Sequence, residues 1–218
     1  MQTKLSLYFV AGSQDFRHFT GNPCEHFLNT LNQALQAGIS CFQFRDKGAF
    51  SLAAQPQQQK QLAIQCRDLC RQYQVPFIIN DDVNLAIAIE ADGIHVGQTD
   101  TSIAEIKRKT DRTFILGLSI NTLSQALASD NNPDIDYFGV GPIFPTQSKE
   151  DPKPVVGLNF IQQLRQAGIK KPIVAIGGIK HPQDCRYLRQ TGANGIAVIS
   201  AISQSPNIAQ SVQQLLTT

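Results

Sequence analysis

Little in this sequence leans toward one sign of charge: 19 Lys and Arg stand against 17 Asp and Glu, a formal net charge of +2. That balance, with no basic run or aromatic-interleaved basic patch, argues against a nucleic-acid partner. No apolar stretch reaches membrane-spanning length, so no membrane partner is expected either. The opening MQTKLSLYFVAG has neither the long apolar core nor the small-residue cleavage site of a secretory leader. Cys24, Cys41, Cys66, Cys70 and Cys185 are odd in number and contain no CxxC pair. Cys66 and Cys70 share a helix face at i, i+4, but no His or further Cys lies nearby to complete a metal site. Packed free thiols are therefore expected. Together these features suggest a reducing cytoplasm. No GxGxxG follows the first apolar run, and no Pro- or Ser-rich linker divides the chain. A single domain over residues 1–218 is the expectation.

What is present is a strict alternation of short β-branched runs with longer helical patterns. Candidate strands are LSLYFV (5–10), SCFQF (40–44), PFIIN (76–80), GIHV (93–96), FILGLS (114–119), DYFGV (136–140), PIVAI (172–176) and NGIAVI (194–199). Between them apolar residues recur at helical spacing. Phe27, Leu28, Leu31, Ala34 and Leu35 form one such stripe, closed by Gly38. Leu62, Ala63 and Leu69 mark another within 57–74, and Leu158, Phe160, Ile161 and Leu164 a third ahead of Gly168. Eight strands with eight helical segments imply parallel pairing through right-handed crossovers. The expected fold is α/β, a single (β/α)8 TIM barrel, in preference to a doubly wound open sheet.

In such a barrel active sites lie at the C-terminal ends of the strands, and that is where the unusual polar residues gather. CFQFRDKG (41–48) begins as a buried strand and ends in three ionic side chains. Alternation puts Gln43, Arg45 and Lys47 on one face and Phe42 and Phe44 on the other. Such a polar face needs solvent or an anion. Strand 3 ends in NDD, Asn80 to Asp82, and strand 4 runs into GQTD, ending at Asp100. Strand 5 ends in Ser119. Asp81 and Asp100 leave adjacent strands, and two such carboxylates repel unless a cation lies between them or one is protonated. Oxygen ligands without His or Cys favour Mg²⁺ over zinc. Asp82, at the start of VNLAIAIE, suits a helix cap.

The pair Gly177-Gly178 after strand 7 suits a phosphate approached by the main chain, and VIS at the end of strand 8 adds to that. Which of the two glycines makes the contact stays open. GPIFPTQSKEDPKP (141–154) carries four prolines with Thr146, Ser148 and Lys149. Hydroxyls and a lysine on a long loop suit closure over a phosphorylated ligand. His95, two residues before Gly97 on strand 4, reads as a satisfied core histidine.

QFRDKG, NDD, ADGIHVGQTD, GLS, GVGPIFPTQSK, AIGGI and VISAIS follow one another as they do in the thiamine phosphate synthase family, over about residues 40 to 203. The chain resembles that family through seven separated motifs. The resemblance implies Mg²⁺-dependent joining of 4-amino-5-hydroxymethyl-2-methylpyrimidine diphosphate to 4-methyl-5-(2-phosphoethyl)thiazole, or its carboxylated form. It implies loss of diphosphate first, leaving a pyrimidine cation that the thiazole nitrogen attacks. Gln43, Arg45, Lys47, Asn80, Ser119 and Lys149 would bind the pyrimidine diphosphate, with Arg45, Lys47, Lys149 and Ser119 as candidate catalytic residues. Asp81 and Asp100 would hold Mg²⁺. Thr146, Ser148, Gly178 (with Gly177 beside it), Ile199 and Ser200 would cradle the thiazole phosphate.

The sequence departs from the family in two places. Ser148 stands where Thr is commoner, and the first strand reads LYFVAGS rather than LYLVTD-like text. Small-molecule substrates are the implied partners; a homo-oligomer stays open. The rival readings are a thiazole tautomerase or regulatory paralogue on the same barrel, a non-catalytic phosphate binder, and an unrelated phosphate-handling barrel. A paralogue that had lost the diphosphate and metal apparatus would not keep Arg45, Lys47, Asp81, Asp100 and Lys149. No nucleophilic side chain is evident at the strand ends.

Overall fold

The computed structural model describes residues 5–148 and 153–217. Eight parallel strands close into a barrel in sequence order, β8 pairing back onto β1. They are β1 (Leu7–Ala11), β2 (Cys41–Phe44), β3 (Phe77–Asn80), β4 (Gly93–Val96), β5 (Ile115–Ile120), β6 (Tyr137–Val140), β7 (Ile173–Ile176) and β8 (Gly195–Val198). Each expected strand is present, with ends shifted by a residue or two. Ser119 lies within β5, and Ile199 and Ser200 lie beyond β8. Among the described residues there are nine α-helices where eight segments were expected: α1 (Pro23–Ala37), α2 (Pro56–Gln72), α3 (Val83–Ala88), α4 (Ile103–Lys109), α5 (Leu123–Ser129), α6 (Phe160–Gln166), α7 (Pro182–Gln190), α8 (Ser200–Ser203) and α9 (Ile208–Leu216). The additional one is the single turn α8, formed where the chain leaves β8 and turns toward α9.

Period-two alternation builds two concentric cores. Leu7, Phe9, Phe42, Phe44, Phe77 and Ile79 point outward to the helices, whereas Tyr8, Val10, Cys41, Ile78, Tyr137 and Val174 fill the barrel interior. In the outer layer Phe9, Phe42 and Phe77 lie abreast on neighbouring strands, with ring centroids 5.6 and 6.0 Å apart. Phe27 of α1 packs on Phe42 and Phe44 from above. Each fully buried Phe contributes about 1.5–3 kcal/mol.

Local chemistry sets the helix ends. The Asn22 side chain accepts from Cys24 N–H at 3.0 Å, and Pro23 occupies the first turn, where its missing N–H costs nothing. Gly38, at φ 102°, closes α1 with its N–H on the carbonyls of Ala34 and Leu35. Cys66 and Cys70 face the core from α2 as free thiols, and burial pushes both well above the ordinary thiol value. Among the described residues no helix is long and apolar enough to cross a membrane.

Candidate active site at the barrel mouth

β2 continues its alternation past its last residue. Gln43 points into the barrel and is buried, and Arg45 follows on the same side, partly exposed, higher in the mouth. Asn80 closes β3, and Ser119 comes from β5. These four side chains line one pocket, with Tyr8, His95 and Tyr137 as its polar floor. Gln43 Nε2 lies 3.0 Å from Tyr8 Oη, which is 2.9 Å from Tyr137 Oη. Tyr137 Oη is in turn 3.0 Å from His95 Nδ1, and His95 Nε2 is 2.9 Å from Ser119 Oγ. His95 is thus a buried histidine with both ring nitrogens engaged. Burial pushes the Tyr8 and Tyr137 phenols well above their ordinary values.

The β2–β3 lip forms a second hollow, a groove of about 370 Å³ lined by Lys47, Asn80 and Asp81, with Asp46 and Gln59 on its β2 side. Asn80 borders both hollows. Lys47 Nζ sits 2.7 Å from Asp81 Oδ2. Asp81 holds a left-handed backbone, φ 61°, an uncommon conformation for a residue with a Cβ. Its N–H donates to the His95 carbonyl at 2.9 Å, which ties the β3 exit to β4. Asp82 takes a different part: its carboxylate accepts from Leu85 N–H at 2.9 Å and caps α3. Asp100 folds back on its own loop, with Oδ2 accepting from Gly97 N–H at 2.8 Å. A Cβ on residue 97 would stand 2.8 Å from that same oxygen, so glycine is what admits the carboxylate there.

On the opposite rim the chain after β6 runs alongside the exit of β7. Ile143 N–H donates to the Ile176 carbonyl at 2.9 Å, and Phe144 N–H to the Gly177 carbonyl at 3.0 Å. Gly177 and Gly178 both have positive φ, 103° and 67°. A Cβ at 177 would lie 2.5 Å from Pro142 Cβ, and one at 178 would lie 2.6 Å from the Pro145 carbonyl oxygen. Close packing of these two loops therefore accounts for the glycine pair before any ligand is considered. Thr146 Oγ1 accepts from Ser148 N–H at 3.2 Å, a turn that presents both residues on this rim. Ile199 and Ser200 start α8 beyond β8. Lys149 lies outside the described residues.

Three residues that carry the site's architecture have no place among the sequence-based candidates. Tyr8 and Tyr137 left one signal, a polar-tipped ring at an inward-facing strand position, which must find a hydrogen-bond partner when buried. Asp46 left almost none. Grouped in the sequence with Arg45 and Lys47, it is buried, 8% exposed, and accepts four hydrogen bonds. Ser13 N–H and Oγ reach Oδ1 at 2.8 and 2.5 Å; Leu52 N–H and Gln59 Nε2 reach Oδ2 at 3.0 Å each.

A closed parallel barrel whose C-terminal mouth gathers cations, amides, hydroxyls and carboxylates over a polar floor defines an enzyme of the TIM-barrel class, with its chemistry at the mouth. Similarity narrows this further. A family model described as thiamine monophosphate synthase matches residues 7–202. The thiamine-phosphate synthase of Mannheimia succiniciproducens is 60% identical over 215 residues, covering 99% of this chain and 97% of that one. The thiamine-phosphate synthase of Pasteurella multocida is 59% identical over 212 residues, covering 97% and 95%. Among solved structures, thiamine phosphate pyrophosphorylase from Pyrococcus furiosus superposes with a TM-score of 0.81 at 29% identity, over 99% of this chain and 96% of that one. 3-Hexulose-6-phosphate synthase, at a TM-score of 0.67 and 12% identity, shares the fold alone. The chain belongs to the thiamine-phosphate synthase family, transferases of thiamine biosynthesis.

Proposed function

We propose that this barrel joins 4-amino-5-hydroxymethyl-2-methylpyrimidine diphosphate to 4-methyl-5-(2-phosphoethyl)thiazole, or its carboxylated form, releasing diphosphate and thiamine phosphate in the cytoplasm. The observation that carries the reading is the convergence of Gln43, Arg45, Asn80 and Ser119 on one pocket, with the Lys47–Asp81 pair on the adjoining lip. In this reading the pyrimidine ring enters between Gln43 and Ser119, and its diphosphate meets Arg45, Lys47, Asn80 and Lys149. Thr146, Ser148, Gly177, Gly178, Ile199 and Ser200 face the thiazole phosphate from the opposite rim.

Asp81 and Asp100 stand at the exits of the adjacent strands β3 and β4 and would offer oxygen-only donors, with Asp81 now on Lys47 Nζ and Asp100 on Gly97 N–H. The Lys47 ammonium on Asp81 already marks that carboxylate as a cation partner. Two carboxylates that leave most positions to water and phosphate oxygens suit Mg²⁺. When bound, the ion supplies charge to the diphosphate leaving group. The side chains do the rest. Negative charge accumulates on the diphosphate as its bond to the pyrimidine carbon breaks, so the contacts of Arg45 and Lys47 strengthen toward the transition state. Each charge-assisted contact contributes about 1.5–3 kcal/mol. The pyrimidine cation left behind takes the thiazole nitrogen as nucleophile, and no side-chain nucleophile is needed.

Incubating the protein with both substrates and Mg²⁺ should yield thiamine phosphate, read as fluorescent thiochrome after oxidation. No product from folded protein would remove the reading and leave a tautomerase or regulatory paralogue in its place. Asp100→Ala should lose most Mg²⁺-dependent turnover with its urea midpoint unchanged. Normal turnover in that variant would show that the metal is held elsewhere.

A further inference from the structure

Five polar side chains form one hydrogen-bonded line across the barrel interior, from Gln43 on β2 to Ser119 on β5, and proton counting gives it a direction. Gln43 Nε2 can only donate, so Tyr8 Oη accepts from it at 3.0 Å. Tyr8 then directs its own proton to Tyr137 Oη at 2.9 Å. Tyr137 has one proton left, and its neighbour on that side is His95 Nδ1 at 3.0 Å. An accepting Nδ1 puts the hydrogen of the neutral imidazole on Nε2, which donates to Ser119 Oγ at 2.9 Å. The Ser119 hydroxyl hydrogen is then directed to the pocket. Burial keeps both phenols protonated, so each link has its hydrogen to give.

The strands leave room for little else. A Cβ on Gly117 would sit 2.3 Å from Tyr137 Cζ and 2.4 Å from His95 Nδ1, and one on Gly139 would sit 2.7 Å from His95 Cε1. Two glycines on adjacent strands thus make the space in which the rings meet. A packing role alone would be served by Phe at 137, which fills the same volume without a hydroxyl.

We propose that Tyr137 is a positioning residue that fixes His95 as its Nε2–H tautomer and so presents Ser119 to the substrate as a hydrogen-bond donor, selecting a ring with an acceptor nitrogen at that point. This rests on the reading of Ser119 as a ligand of the pyrimidine. A line running the other way would need Gln43 to offer its carbonyl to Tyr8, would place the histidine proton on Nδ1, and would turn Ser119 into an acceptor.

The test is the ¹⁵N NMR signature of His95 in the intact protein, with steady-state kinetics of Tyr137→Phe, Tyr8→Phe and Ser119→Ala. The expected spectrum shows a protonated Nε2 and an unprotonated, hydrogen-bonded Nδ1. Tyr137→Phe should lose that signature and raise KM for the pyrimidine diphosphate at least tenfold, with KM for the thiazole phosphate within twofold. Tyr8→Phe, one link further away, should move both readouts in the same direction, and serves if Tyr137→Phe fails to fold. An Nδ1–H tautomer in the wild-type protein would overturn the proposal. So would a raised pyrimidine KM in Ser119→Ala with no change in either Phe variant. An unchanged pyrimidine KM in Ser119→Ala would instead overturn the ligand role of Ser119 itself, whatever the histidine spectrum shows.

Discussion

Removing the Asp46 carboxylate should loosen the loop after β1 and the loop after β2, the second of which carries Arg45 and Lys47. Asp46 is 8% exposed and ties the first loop, through Ser13, to the second, through Leu52, and to α2 through Gln59. In Asp46→Ala the buried Ser13 N–H and hydroxyl lose their acceptor, whereas Leu52 N–H and Gln59 can turn to water. Hydrogen bonds to a charged group contribute about 1.5–3 kcal/mol each. Two unrecovered bonds therefore set a ceiling of about 3–6 kcal/mol, and release of a buried charge from its desolvation offsets part of that. A net loss of about 3 kcal/mol is expected, which for a chain of this size lowers Tm by roughly 6–12 °C. Because Arg45 and Lys47 flank the deleted carboxylate, KM for the pyrimidine diphosphate should also rise, with KM for the thiazole phosphate less affected. Urea unfolding and two-substrate kinetics read the two effects. A loss below about 1 kcal/mol would show that water replaces the carboxylate at Ser13, and would refute its part as the tie between the loops.

Lys47→Ala should separate stability from function. The Lys47–Asp81 bridge is solvated, with the lysine side chain 57% exposed, so its loss should move the urea midpoint by under about 1 kcal/mol. Turnover should nonetheless fall about 10- to 100-fold, the equivalent of one charge-assisted contact on the leaving group. Gly139→Ala should fail in both respects, because its Cβ would press on His95 Cε1 at 2.7 Å. An overpacking cost of about 1–3 kcal/mol, with at least a tenfold loss of kcat/KM, is expected from denaturation and kinetics. Asp15 sets a pH effect. Burial raises its carboxyl to about 6, although Gly12 N–H donates to it at 2.9 Å. The folded protein therefore holds this proton more tightly than the unfolded chain, and stability falls as pH rises from about 4 to about 6. Asp15→Asn, which keeps an acceptor for Gly12, should flatten that decline; an unchanged pH profile of urea midpoints would contradict it.

The strands and their order were legible because each is a short run rich in aromatic or branched aliphatic residues, and because eight in alternation with helices leave few topologies. The extra turn α8 was not, because the four residues Ser200 to Ser203 are too few to show a helical stripe. Much of the candidate site was legible for the same reason as the fold: period two on β2 separates Gln43 and Arg45 from Phe42 and Phe44, and the structure keeps that separation. Asp82 announced itself as a cap by standing just before an apolar helical run. Long-range partners were hidden. Asp46 binds Ser13, 33 residues away, and Tyr8 meets Tyr137 across 129 residues. No local pattern encodes a pairing of that span. The glycines were ambiguous in the opposite sense: 177 and 178 suggested an anion, yet the loop after β6 already demands them.

The proposed reaction requires that Asp81 and Asp100 hold Mg²⁺ beside the diphosphate. A crystal structure of the protein with thiamine phosphate, diphosphate and Mg²⁺ tests it most directly. The expected result is one metal ion bridging the two aspartates and the diphosphate, Arg45 and Lys47 on the diphosphate oxygens, and the pyrimidine between Gln43 and Ser119. A metal bound away from both aspartates, or a diphosphate out of reach of Arg45 and Lys47, would contradict it.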